Sequence, residues 1–224
     1  MGRLGLITIG QSPRQDIVQD MLPILGSSHE LLQRGALDNL TATQLQNLAP
    51  NPGEQVLVSS LQDGTSVVMA ETKVVNLLQD CIQELEKKGA QCILLLCTGD
   101  FHTALSAQIP LLLPNRILEG LIPALLNTEK RFITLVPDRA QSLEAKKQWE
   151  SKGIQTDVFA ISPYTNTLRD FEDLALQLRK SNCTYILMDC MGYSSEMKEV
   201  IASVSRKKVL LPRTLCASVV KGIL

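Results

Sequence analysis

The sequence predicts an α/β fold of two similar lobes, with mostly parallel sheets and a pseudo-twofold relation between the halves. Three observations carry this. Strand and helix patterns alternate along the chain, which favours parallel strands with helices on both faces. The strand patterns are short continuous apolar runs, as strands buried on both faces are. One phrase also occurs twice, Cys92-Ile93-Leu94-Leu95-Leu96-Cys97-Thr98-Gly99 and Tyr185-Ile186-Leu187-Met188-Asp189-Cys190-Met191-Gly192. Aligning Cys97 with Cys190 sets Ile93 on Ile186, Leu94 on Leu187 and Gly99 on Gly192. A helical stretch that breaks at a turn precedes each copy, at Lys88-Gly89-Ala90 and at Lys180-Ser181-Asn182.

Arg3 to Ile9 reads as the first strand. Ser12 then suits a helix N-cap, Pro13 the first helical position, and Gln15 completes a capping box; the helix runs through Leu22, with Pro23 weakening its end. His29 to Arg34 is a short strand, and Thr41 caps a brief helix that stops by Pro50. Gln55 to Leu61 and Thr65 to Ala70 flank Gln62-Asp63-Gly64, a hairpin signal. Val74, Leu77, Leu78, Ile82 and Leu85 form a helical stripe over Lys73 to Lys88, stopped by Gly89. The strand to Leu96 follows. Ile109 to Pro114 is an apolar loop or short strand, and Arg116 to Leu126 a helix despite Pro123.

The scheme restarts at Arg131 to Pro137, where Ile133-Thr134-Leu135 echoes Ile7-Thr8-Ile9. Pro137-Asp138 opens a helix through Leu143 and Trp149 to near Gly153, and Ile154 to Ala160 is the next strand. A helix from Leu168 to Arg179 leads to the Cys190 strand. Ser194 to Val204 is helical, Val209 to Leu211 a last strand, and Arg213 to Leu224 a closing helix. The first lobe is expected to hold residues 1–103 together with 206–224, the last strand and helix returning to it. Residues 104–205 form the second, with a cleft between them.

With 224 residues, 45% hydrophobic and 20% charged, the chain has the profile of an ordinary globular protein. Its 22 Lys and Arg against 23 Asp and Glu leave no bulk field for nucleic acid or an acidic membrane. Arg206-Lys207-Lys208 reads as a solvated turn. No apolar run is long enough to span a bilayer, and the N-terminus enters a strand directly. A cytoplasmic protein with reduced cysteines is expected. No Cys pair has the spacing of a zinc or redox site, so no metal is expected. Cys81, Cys92, Cys183 and Cys216 lie inside helix or strand patterns and read as small buried hydrophobes.

Cys97 and Cys190 stand apart because they sit where strands stop. Two thiols on opposite faces of a substrate carbon can invert it, one taking a proton as base and the other returning one as acid. No cofactor is formally required. The resulting carbanion needs stabilising by backbone N–H groups around a substrate carboxylate. Thr98-Gly99 and Met191-Gly192-Tyr193 follow the two cysteines, where glycine permits close approach. Gln11, Ser12 and Arg14, at the end of the first strand, form a natural anion site at a helix N-terminus; the plainer alternative is a capped turn with a surface arginine. Pro137 and Gln141, beside Asp138, occupy the corresponding turn of the second half. Tyr164 and Tyr193 either bind substrate or pack as cleft walls. Phe101 packs, and Asp100 and His102 lie on a solvent-facing loop or support Cys97. Asp189 can orient or deprotonate Cys190, although its charge disfavours the thiolate; strand alternation equally permits it to point away.

Ile7-Thr8-Ile9-Gly10-Gln11-Ser12-Pro13-Arg14, Leu96-Cys97-Thr98-Gly99-Asp100-Phe101, Ser162-Pro163-Tyr164 and Asp189-Cys190-Met191-Gly192-Tyr193 together resemble the AroM family, over essentially the whole chain. That family looks related to the aspartate/glutamate/hydantoin racemase superfamily. The resemblance implies two Rossmann- or flavodoxin-like lobes with a cysteine pair in the cleft. Racemases of the superfamily commonly have Asn-Thr or Thr-Ser after the first cysteine and Thr after the second, where this chain has Thr98-Gly99 and Met191-Gly192. The leading expectation is a cofactor-independent racemase or epimerase acting on a small carboxylate, an amino acid or derivative. The rivals are a single-cysteine decarboxylase or cis-trans isomerase, and a non-enzymatic binding or regulatory protein. A small-molecule carboxylate is the expected partner, with a homodimer allowed for.

Overall fold

The computed structural model describes residues 2–126 and 131–224; Met1 and residues 127–130, which the expected lobes include, lie outside them. The first half runs β1 (Gly2–Thr8), α1 (Gln15–Leu25), β2 (His29–Gly35), α2 (Ala42–Asn47), β3 (Val56–Ser60), β4 (Ser66–Ala70), α3 (Glu71–Lys87), β5 (Cys92–Leu95), β6 (Leu111–Leu112) and α4 (Pro114–Leu126). The second runs β7 (Arg131–Val136), a 3-10 turn (Arg139–Gln141), α5 (Ser142–Glu150), β8 (Gln155–Ala160), α6 (Leu168–Leu178), β9 (Tyr185–Met188), α7 (Ser195–Ser205), β10 (Lys208–Leu210) and α8 (Pro212–Ile223).

Two parallel four-stranded sheets result, ordered β2-β1-β5-β6 and β10-β9-β7-β8. Read from the other edge, the second order matches the first, with β8, β7, β9 and β10 standing for β2, β1, β5 and β6. The expected antiparallel excursion is there as well, β3 and β4 pairing from Val56↔Ala70 to Ser60↔Ser66. Gly64, at φ +84°, makes its turn. Thr41 caps α2 in a capping box with Gln44, as its position predicts.

Side chains alternate across the strands and so divide the core. From β5, Cys92, Leu94 and Leu96 pack with Ile17, Met21 and α8, while Ile93, Leu95 and Cys97 pack with Val74, Leu78 and Ile82 of α3. From β9, Ile186, Met188 and Cys190 pack with Phe171 and Ile201, while Leu187 packs against Leu118 and Ile122 of α4. Cys97 and Cys190 thus continue equivalent rows.

Three sequence expectations change. First, the register sets Leu95 opposite Ile7 and Met188 opposite Leu135, so Ile7 corresponds to Leu135 rather than Ile133. The echo was displaced by two residues, one pleat repeat, which leaves the apolar alternation intact and hides the slip. Second, β10 does not return to the first sheet: it pairs with β9 through Lys208↔Tyr185 and Leu210↔Leu187. β6 in turn pairs with β5 in the first sheet, although 104–205 was expected to form the second lobe. It is helices that cross. Cys216, Ala217 and Val220 of α8 pack with the core of the first sheet, and Leu118, Ile122 and Leu126 of α4 with Phe132 and Trp149 of the second. Third, α1 begins at Gln15 with Arg14 at its N-cap and no side-chain cap; Ser12-Pro13 is a cis peptide preceding it. The Ser12 capping box is absent because Ser12 has another partner, and Pro23 lies inside the helix, which runs to Leu25.

Candidate active site

Both cysteines follow the carboxyl ends of the inner strands and line one cleft of about 950 Å³. Its walls come from Val56–Val58 of the hairpin, Glu71 at the start of α3, the Cys97–Asp100 loop, Pro137, Ala140 and Gln141, α5, and Asp189–Cys190. Thr98 Oγ1 donates to the Asp189 carbonyl at 3.3 Å and ties the two strand-end loops together. Gln141 Nε2 donates to the Val56 carbonyl at 3.0 Å and clasps the second lobe to the hairpin.

The repeat reappears in the immediate setting of each sulfur. Gly99 N–H donates to Cys97 Sγ at 3.4 Å, and Gly192 N–H to Cys190 Sγ at 3.3 Å. Cys97 is 8% exposed, whereas Cys190 is only half-buried. Burial pushes both thiols above the ordinary range by disfavouring the thiolate. The Gly99 N–H opposes this at Cys97, where Cys190, Glu71 and Asp189 add to the rise. At Cys190 three groups oppose it: the Gly192 N–H, the Tyr164 hydroxyl (3.9 Å from Sγ) and Arg14.

Two carboxyls at the cleft titrate near neutrality. Burial, with Asp100 and Glu144 nearby, raises Glu71 to about 7. Burial also raises Asp189 to about 6, with Thr98 acting against it. Sequence reading singled out Asp189 but not Glu71, which opens α3 at the end of a hairpin and belongs to no recognisable motif.

Of the expected site residues, Cys97, Thr98, Gly99, Pro137, Gln141 and Cys190 line the cleft. The Gln11-Ser12-Arg14 site is real in its donors but already filled by the protein. Asp38 accepts from Ser12 N–H at 2.6 Å, Ser12 Oγ at 2.7 Å and Gly35 N–H at 2.8 Å, and Arg34 Nη1 lies 3.2 Å away. Gln11 is spent on Leu37 and Gln62. Arg14 is 4% exposed and bonds Asp16 through two nitrogens, at 2.8 and 2.6 Å. Burial works against its charge, but Asp16 and Tyr164 together more than offset that and keep it protonated.

Tyr193 is a core residue: it is fully buried, packs edge-on against Phe171 and donates to the Ile161 carbonyl at 2.6 Å. Met191 is buried with α1 and α8, its carbonyl held by Arg213 at 2.6 and 3.0 Å. Gly192 is buried too, and Tyr164 stands over it. Phe101 packs in the core, and His102 and Asp100 form an exposed pair at 3.5 Å, although Asp100 also borders the cleft. Asp38 and Arg213 are the further contributors that the sequence reading missed. Arg213 could have been found from Leu211-Pro212-Arg213, which repeats Leu113-Pro114-Asn115 at the start of the equivalent helix.

The family model described as AroM protein matches residues 4–224. The chain belongs to the AroM family. By sequence, no curated protein matches it. Among solved structures, the AroM chain is similar to glutamate racemase from Francisella tularensis subsp. tularensis SCHU S4 in complex with D-glutamate, at a TM-score of 0.60 and 13% identity; the match covers 100% of this chain and 81% of that one. It is also similar to unliganded arylmalonate decarboxylase (TM-score 0.62, 13% identity, 98% and 91% covered) and to Picrophilus torridus aspartate racemase (TM-score 0.56, 10% identity, 99% and 95% covered). The two-lobed α/β fold of this AroM protein is that of the Asp/Glu racemases. Among its described residues, no helix is long and apolar enough to cross a membrane.

Proposed function

We propose that this AroM protein is a cofactor-independent racemase or epimerase acting on a small carboxylate, an amino acid or derivative, with Cys97 and Cys190 as the proton carriers. One observation carries the reading: two thiols at equivalent points of two equivalent sheets border a single cleft, each with a glycine N–H on its sulfur. One sulfur, as thiolate, takes the proton from the substrate carbon and becomes a thiol. The other thiol gives its proton to the opposite face and becomes a thiolate. The carbon is inverted and the pair has exchanged states. Between turnovers Asp189 and Glu71 supply acceptors near neutrality for the proton that returns the pair to its starting form. Arg14 is engaged with Asp16, and Lys152 of the cleft wall with Glu119 at 3.1 Å, so the carboxylate-binding role passes in this proposal to Lys147.

Substrate in heavy water should gain deuterium at the inverted carbon. Cys97→Ser and Cys190→Ser should each lose inversion; unchanged turnover in either would refute the assignment. The difference between the two thiols favours one alternative, a single-cysteine decarboxylase in which the more exposed Cys190 alone protonates a carbanion. Carbon dioxide release without stereoinversion, surviving Cys97→Ser, identifies that case.

A further inference from the structure

The two sulfurs are equivalent in backbone but not in surroundings. Cys97 Sγ accepts from the Gly99 N–H, and the charged neighbours bearing on it are the carboxyls Glu71 and Asp189. Cys190 Sγ accepts from the Gly192 N–H and has the Tyr164 hydroxyl at 3.9 Å. Its charged neighbours are Arg14, Arg213 and Asp189.

The position of the Tyr164 hydroxyl is a packed feature. A Cβ on Gly192 would lie 2.4 Å from the hydroxyl oxygen, 2.7 Å from Tyr164 Cζ and 3.0 Å from Pro163 Cγ, so the phenol fills the space a side chain would take. Tyr164 N–H donates to Ser162 Oγ at 3.1 Å, and Ser162 N–H to Asn166 Oδ1 at 2.8 Å, which fixes the loop after β8. The Arg14 guanidinium lies 6.0 Å from the centre of the ring. The first half has no such arrangement. There the loop after β2 brings Asp38 to Ser12, and Asn39, the counterpart of Tyr164 in the strand register, is exposed.

We propose that Tyr164 is a positioning residue that makes Cys190 the thiolate member of the resting pair and leaves Cys97 as the thiol, with Arg14 acting through it. The hydroxyl has one hydrogen to give, and a thiolate is the better acceptor for it than a thiol. Burial and the nearby sulfur hold the phenol protonated at neutral pH, so that hydrogen is available. The assignment deepens the two-cysteine reading above: the resting enzyme would begin turnover from the face served by Cys190, and inversion in the other direction would begin from the exchanged pair.

The test is the pH profile of alkylation by iodoacetamide, resolved by site with mass spectrometry, on the full chain and without substrate. In the parent protein Cys190 should react at a lower pH midpoint than Cys97. In Tyr164→Phe, which keeps the ring and its packing, the Cys190 midpoint should rise by about one unit, roughly tenfold in rate below both midpoints, with the Cys97 profile unchanged. Gly192→Ala, which drives the hydroxyl away, should produce the same shift by another route. An unchanged Cys190 midpoint in a folded Tyr164→Phe protein, or an equal shift at both cysteines, would overturn the proposal. Should the midpoint move while no substrate exchanges deuterium, this inference stands and the racemase reading falls.

Discussion

Glu71→Gln offers a test of the cleft's electrostatics that requires no substrate. Burial and the charges of Asp100 and Glu144 raise the Glu71 carboxyl from 4.5 to about 7 in the folded chain. Below about pH 4.5 the group is protonated in both states and contributes nothing to the pH dependence. Between 4.5 and about 7 the folded state holds the proton that the unfolded state has lost, so stability falls as pH rises; above 7 the loss is complete. The full shift would correspond to about 3.4 kcal/mol. Glu71 is only partly buried, and solvent screening reduces this to about 1–2 kcal/mol. The same carboxylate opens α3, where no side chain caps the helix, and a negative charge there returns about 0.3–1 kcal/mol. Glu71→Gln should therefore be near neutral at pH 5 and stabilising by about 0.5–1 kcal/mol at pH 8, about 1–4 °C in Tm for a chain of this size. Thermal denaturation of both proteins at the two pH values reads the difference directly, with Asp189 contributing equally to each. If the variant is no more stable than the parent at pH 8, the cleft does not penalise charge at Glu71, and its role as a near-neutral proton acceptor goes too.

Two further variants probe the groups that replaced expected site residues. Asp38→Ala should empty the anion site at Ser12 and Gly35, cost about 1–3 kcal/mol, and make Tm rise with sulfate more steeply than in the parent; equal sulfate responses would show that Asp38 is not what occupies those donors. Arg213, fully buried, bonds the Met191 carbonyl, the Asp16 carbonyl at 2.7 Å and Asp20 at 2.8 Å. Arg213→Met should cost about 2–4 kcal/mol in urea denaturation, since it removes the cation from the half-buried Asp20 carboxylate and the donors from two carbonyls. A loss below about 1 kcal/mol would contradict that bonding.

The sheets and the two thiols were legible because both depend on local pattern. Continuous apolar runs marked β5 and β9. The glycine two residues past each cysteine was legible as a point of close backbone approach, but the sequence assigned its N–H to a substrate carboxylate, whereas it donates to the cysteine sulfur. The hairpin was legible from Asp63-Gly64. The substrate-binding residues were read less well, for a consistent reason. Ser12 does donate to an anion, but that anion is Asp38, at the end of a different strand, and Arg14 is held apart from it by Asp16. Tyr193 and Tyr164 are indistinguishable as amphipathic aromatics in sequence; one donates to a core carbonyl and the other stands beside Cys190. Glu71 owes its raised pKa to burial and to Asp100 and Glu144, which lie on other segments and meet it only in the folded chain. Pairwise meetings of this kind leave no periodicity.

The exchange of α4 and α8 between the lobes bears on why both halves are needed for one site. Each helix follows the fourth strand of its own sheet and then packs on the other sheet, so neither half can complete its core alone. The crossing also reaches the chemistry. Arg213, at the start of α8, holds the Met191 carbonyl, one residue before the Gly192 N–H that donates to Cys190, and simultaneously grips Asp16 and Asp20 of α1 in the first lobe. Asp16 is in turn the partner of Arg14, the cation behind Tyr164. The environment of the second-lobe thiol is thus set in part by a group anchored in the first, Arg14. A shift of one lobe against the other would disturb Arg213, Arg14 and Tyr164 together, and through them the state of Cys190. Docking of the lobes and protonation of that thiol are therefore linked.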